Sequence, residues 1–111
     1  MNLISYMIAV LIILKDIYID MTKLEELHSK MVQVHDKAQS LFEMDNVPSM
    51  LKNEYRNKVS QYDNMFDSIE TMKGLTSKED TLENLINQQI EILNVRIKWE
   101  LDWAKRAVSK M

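Results

Sequence analysis

A chain of 111 residues, 46% hydrophobic and without cysteine, has the size of one small domain. The missing cysteines exclude a disulfide framework, thiolate metal ligation and a thiol nucleophile, and they fit a reducing compartment. A net charge of −3 with 28% charged residues argues against a nucleic-acid binder, and a single Gly and a single Pro argue against the closely spaced turns of an all-β fold.

The chain opens on MNLISYMIAVLIILKDIYID, apolar on nearly every side between Leu3 and Leu14. A secretory signal needs a basic segment ahead of its apolar run, whereas here Lys15 and Asp16 follow it. A membrane-spanning helix needs roughly 20 apolar residues, and Leu3 to Leu14 reaches only about 18 Å at ~1.5 Å per residue. Projected backwards, the core stripe of the following helix would meet Asp16 and Asp20. The expectation is therefore a separate apolar arm over residues 1–20, with one continuous helix as its competitor. Met21 would also serve as an initiator, which would make residues 1–20 an upstream extension.

Thr22-Lys23-Leu24-Glu25 has the form of a capping box, in which the Thr hydroxyl and the Glu carboxylate satisfy each other's backbone N–H groups. Leu24, Leu27, Met31, Val34, Ala38 and Leu41 follow at alternating spacings of three and four, one stripe of a helix over about 22–45. Pro48 suits the first turn of a second helix, 48–73, carried by Leu51, Tyr55, Val59, Tyr62, Phe66, Ile69 and Met72. Gly74 is the expected left-handed stop.

A second capping box, Thr76-Ser77-Lys78-Glu79, precedes a third helix over 77–110. It carries two apolar stripes, Leu82, Ile86, Ile90, Leu93, Ile97, Ala104 and Val108 on one side and Leu85, Ile92, Trp99 and Trp103 on the other. A helix with so wide an apolar surface must touch two neighbours. The expected fold is all-α, an antiparallel three-helix bundle over residues 21–111 with an apolar N-terminal arm over residues 1–20. The third helix is longer than the first by about ten residues, so about 15 Å of its end, with Trp103 and Val108, should overhang.

Several constellations carry possible chemistry. Glu25-Glu26-Leu27-His28 matches E-x-x-H, half of a carboxylate di-iron motif, but His35 has Val32 in place of the second Glu. The second helix adds only Glu54 and Glu70, both off its apolar stripe, so no metal site is expected. His28 and His35, seven apart, could report acidification, although boundary histidines are commoner. Trp99 and Trp103 are interleaved with Arg96, Lys98, Lys105, Arg106 and Lys110, a pattern that can stack on single-stranded nucleic acid. Glu100 and Asp102 dilute that patch, and Trp is a favoured anchor in protein interfaces.

No Gly-rich phosphate loop, Ser-His-Asp order or convergent carboxylate pair is present, so no enzyme activity and no cofactor are expected. The expected role is non-catalytic: a cytoplasmic assembly, adaptor or inhibitor protein that binds a protein partner or itself, as a homo-oligomer. Its expected contacts are Met7, Val10, Leu14 and Ile17 of the arm together with Trp99 and Trp103. The alternative is a peripheral membrane protein anchored by residues 1–20.

Overall fold

The computed structural model describes residues 3–111, apart from the side chains of Tyr6, Val10 and Ile13. Three helices follow in chain order: α1 over Leu3–Phe42, α2 over Ser49–Leu75 and α3 over Glu79–Lys110. They form an antiparallel up-down-up bundle in which α3 packs closely along both other helices, while α1 and α2 stand further apart and meet through large side chains such as Phe42 and Tyr55. The wide apolar surface of α3 explains this arrangement, because it is the one helix able to bury two sides at once.

The main departure from expectation lies at the start. One helix of 40 residues replaces an arm and a shorter helix, running unbroken through the expected boundary at residues 20 and 21. No Gly or Pro interrupts Leu3–Phe42. The core stripe continues backwards through Ile17, buried in one cluster with Leu24 and Met31 and against Ile86, Ile90, Leu93 and Ile97 of α3. Asp16 is exposed and Asp20 half-buried, so neither carboxylate is forced into the core. Thr22 is no cap: its hydroxyl donates to the Tyr18 carbonyl at 3.0 Å, the back-bond of a Thr inside a helix.

The connections differ in smaller ways. Val47, buried with Phe42, closes the first one, and Pro48 sits just before α2, accepting from the Lys52 N–H at 3.1 Å. Gly74 lies within α2 without a positive φ, and the chain leaves the helix through Thr76 in an extended conformation. The Thr76 hydroxyl accepts from the Lys78 N–H at 3.2 Å, and no side chain caps α3.

Because α1 and α3 run parallel, the end of α1 meets the end of α3. Ala38 and Phe42 share a buried cluster with Val47, Tyr55 and Ala107, with Trp99, Trp103 and Ala104 packed around it. The end of α3 is thus covered and does not overhang as expected; Ala107 takes the buried place and Val108 is exposed. The overhang is at the other tip. At ~1.5 Å per residue α1 is about 60 Å long, which accounts for most of the 68 Å length of the molecule.

Lys23 separates the two descriptions of α1. At the first position of a new helix Pro is tolerated, whereas inside a helix it costs about 3 kcal/mol or more. We expect Lys23→Pro to lower the unfolding free energy by about 3 kcal/mol in urea titrations. A loss below about 0.5 kcal/mol, ordinary for a surface position, would contradict the unbroken helix.

Candidate functional site

Two places in the bundle hold the residues singled out by sequence, and they lie at opposite ends. The first is the amino-terminal part of α1. Leu3, Ile4, Met7, Ile8, Leu11, Ile12 and Leu14 are between 49% and 73% exposed, and no described side chain before Ile17 is buried. Helix α3 starts beside the Ile17 level, with Leu82 and Ile86 against that cluster, so the residues before it project past the bundle. Met7 and Leu14 belong to this uncovered surface. The Val10 side chain lies outside the described residues. Ile17 does not belong to the uncovered surface, because its side chain already packs into its own core.

The second place is an aromatic stack at the far end. Phe42 lies on Tyr55 at 4.1 Å between ring centroids, and Tyr55 on Trp99 at 5.8 Å. Trp99 also meets Tyr62 at 5.7 Å and Trp103 at 5.1 Å. Both indoles are half-buried in their own chain and join α3 to α2 and to the end of α1. The flanking cations complete this packing: Arg106 lies 5.6 Å from the centre of the Trp103 ring and Lys58 lies 5.2 Å from that of Tyr62.

Beneath the stack is a buried polar network that periodicity did not reveal. Glu100, fully buried, takes its Oε1 to within 2.9 Å of His35 Nδ1 and 3.5 Å of Arg96 Nε, and the Tyr55 hydroxyl donates to it at 3.4 Å. The Tyr55 hydroxyl also lies 3.2 Å from His35 Nδ1, and Arg96 Nη1 donates to Asp63 of α2. All three helices contribute. Arg96 Nε and Glu100 Oε2 are buried without a hydrogen bond. Burial, then the negative charge of Glu100, raises the Tyr55 phenol well above its ordinary value, so it stays protonated. Burial raises Tyr62 as well.

One polar group further down α3 is fully satisfied. Gln89, 0% exposed, donates to Glu70 at 2.9 Å and to the Phe66 carbonyl at 3.3 Å, and it accepts from Lys73 Nζ at 2.7 Å. Lys73 Nζ also donates to Glu70 at 3.1 Å, and the Gln89 bond foremost, with Lys73 after it, holds the Glu70 carboxyl below its ordinary value of 4.5.

The signal for both networks was present. Gln89, Arg96 and Glu100 fall between the two apolar stripes of α3, in the middle of its buried surface. The histidines do not act as a pair: His28 is exposed against the Phe66 ring at 5.6 Å, whereas His35 is tied into the network. Among the described residues no group of three or more His, Asp or Glu side chains is placed to hold a metal ion, and the E-x-x-H half-motif has no second half. Also among the described residues, no helix is long and apolar enough to cross a membrane. Compared with protein-family models, with curated proteins and with solved structures, the chain matches none.

Two outcomes follow from the networks. Arg96→Leu strips a buried carboxylate of its cation, which we expect to cost about 3–5 kcal/mol. Adding Glu100→Leu should recover most of that loss, since an apolar pair replaces an ion pair at little net cost. Additive losses in denaturant titrations would contradict the coupling. The second concerns Glu70, whose folded pKa is depressed. The stability it adds is present above pH 4.5 and disappears as pH falls through the lowered folded value. Glu70→Gln should therefore flatten the acid limb of stability against pH below 4.5. An unchanged limb would contradict the assignment.

Proposed function

We propose that this is a non-catalytic interaction protein of the assembly, adaptor or inhibitor type, which works by presenting the amino-terminal part of α1. One observation carries the proposal: four turns of a well-formed helix leave large apolar side chains in water, with no described side chain before Ile17 buried. Exposed apolar patches of this kind mark interaction sites. Each large side chain taken out of water contributes about 1.5–3 kcal/mol, against an association cost of about 4–15 kcal/mol. Several must therefore be covered together, as a helix laid alongside would do.

The contact surface proposed from the sequence changes accordingly. Met7 and Leu14 stay in it. Ile17, Trp99 and Trp103 have a sufficient use within their own chain, the indoles as the joint between α2 and α3. A cytoplasmic setting goes with this reading, supported by the absence of cysteine.

A second reading is favoured by the apolar run on all its described sides, followed at once by Lys15, Asp16 and Tyr18. A helix end of about 18 Å reaches one leaflet of a bilayer about 30 Å thick. In that reading the bundle is the soluble head of a peripheral membrane protein.

Light scattering and vesicle flotation separate the two. We expect the full chain without lipid to exceed the monomer mass. Replacing Leu3, Met7 and Leu11 by Ser should return it to a monomer with unchanged helix content. A full chain that is monomeric in buffer and floats with vesicles would contradict the protein-interaction reading and support the membrane one.

A further inference from the structure

The exposed apolar residues of α1 are ordered. Ile4, Met7, Leu11, Leu14, Tyr18 and Met21 recur at spacings of three, four, three, four and three, the a and d positions of a heptad. All six are exposed, Tyr18 as much as 72%. At 3.6 residues per turn this seam lies roughly 100° around the axis from Ile17 and Leu24, which face the bundle core. The helix therefore has two seams: one filled by α3, and one open to solvent, whose far end at Met21 borders Phe66, Glu70 and Lys73 of α2.

Resting on the interaction reading above, we infer that the occupant of the empty seam is the same segment of a second copy of this chain, antiparallel to the first. In an antiparallel pair each a position meets a d position. Centring the overlap places Ile4 opposite Met21, Met7 opposite Tyr18 and Leu11 opposite Leu14, with no layer unmatched. The overlap runs to 18 residues, about 27 Å. The flanking positions also suit it. Leu3 and Ile8 sit beside the seam and are covered with it, leaving, among the described side chains up to Met21, only Ile12 and Ile19 of the exposed large apolar residues outside the contact. Scattered single apolar residues on a surface need no partner.

Charge decides the direction. The residue that continues the seam after Met21 is Glu25, which is exposed. A parallel pair would set Glu25 against Glu25 of the second copy, whereas the antiparallel overlap keeps the two Glu25 carboxylates at opposite ends. Asp16 and Asp20 lie on the sides turned away from the second helix. Lys15 borders the seam, where its aliphatic stem can lie along apolar neighbours. The segment is already helical in the single chain, so pairing does not carry the cost of nucleating a helix. Seated there, the second helix acts as a fourth beside the first turns of the bundle.

The absence of cysteine allows a clean test on the full chain. Single variants Leu11→Cys and Leu14→Cys are mixed in equal amounts and oxidised, and the mixed disulfide is expected to exceed the two self-paired products together several-fold, where unselective pairing would only equal them. A predominance of Leu11→Cys self-pairing would overturn the antiparallel arrangement. In parallel, Met7→Glu with Leu11→Glu should abolish the dimer mass at every concentration tested, while Ile12→Glu with Ile19→Glu should retain it. Equal loss in both would mean unspecific apolar association and overturn the seam, and circular dichroism checks that both variants stay helical. A full chain that is monomeric throughout and does not float with vesicles overturns self-pairing but leaves a different protein partner open. A monomer that floats overturns both.

Discussion

Everything distinctive about this molecule follows from a mismatch of helix lengths. Helix α1 has 40 residues and its main partner, α3, has 32. A bundle buries apolar surface only where helices lie side by side, so the excess of the longer helix must stay wet or find another surface. Had the excess been polar it would be inert. Here it is Leu, Ile, Met, Val and Ala with a single Ser and a single Tyr between Leu3 and Leu14. A small domain has little core to spare, and this one leaves some of its most apolar sequence outside the core it builds.

The helices could in principle slide to share the mismatch between the two ends, and the buried polar network opposes that. His35 on α1, Tyr55 on α2 and Glu100 on α3 meet at one level, and Arg96 reaches across to Asp63. Moving α1 by one heptad along α3 would take His35 away from the buried Glu100 carboxylate, and a buried polar group deprived of a partner is costly in a low-dielectric interior. A uniform apolar seam would tolerate the slip far better. The aromatic stack of Phe42, Tyr55, Trp99 and Trp103 seals the same end. One end is pinned by ion pairs and rings, and all of the surplus length appears at the other.

The three helices and their order were legible because the apolar spacing is strong and the connections carry the only Pro and a run of polar residues. Their partnership was legible too, since the double stripe of α3 requires two neighbours. The start of α1 was not legible, for a definite reason. The stripe projected backwards from Leu24 meets Asp16 and Asp20, while Ile17, between them in sequence, carries it instead. A capping-box pattern at Thr22 points the same way, although a Thr inside a helix can satisfy its hydroxyl with the carbonyl four residues back. Placing the overhang on α3 followed from the same shortened α1. The buried network was harder to read, because Gln89, Arg96 and Glu100 lie between the two apolar stripes of α3, where polar residues resemble an ordinary gap in the pattern. Burial there depends on partners from α1 and α2 that no single helix pattern displays.

The dependence of backbone amide hydrogen exchange on protein concentration tests the central claim most directly. An apolar helix end that its own chain leaves uncovered should exchange quickly between Leu3 and Leu14 in dilute solution and become protected as concentration rises, while Leu24 to Phe42 stays protected throughout. Protection of Leu3 to Leu14 that is already high at the lowest concentration, and does not change, would show that the chain covers this segment itself and would contradict the claim.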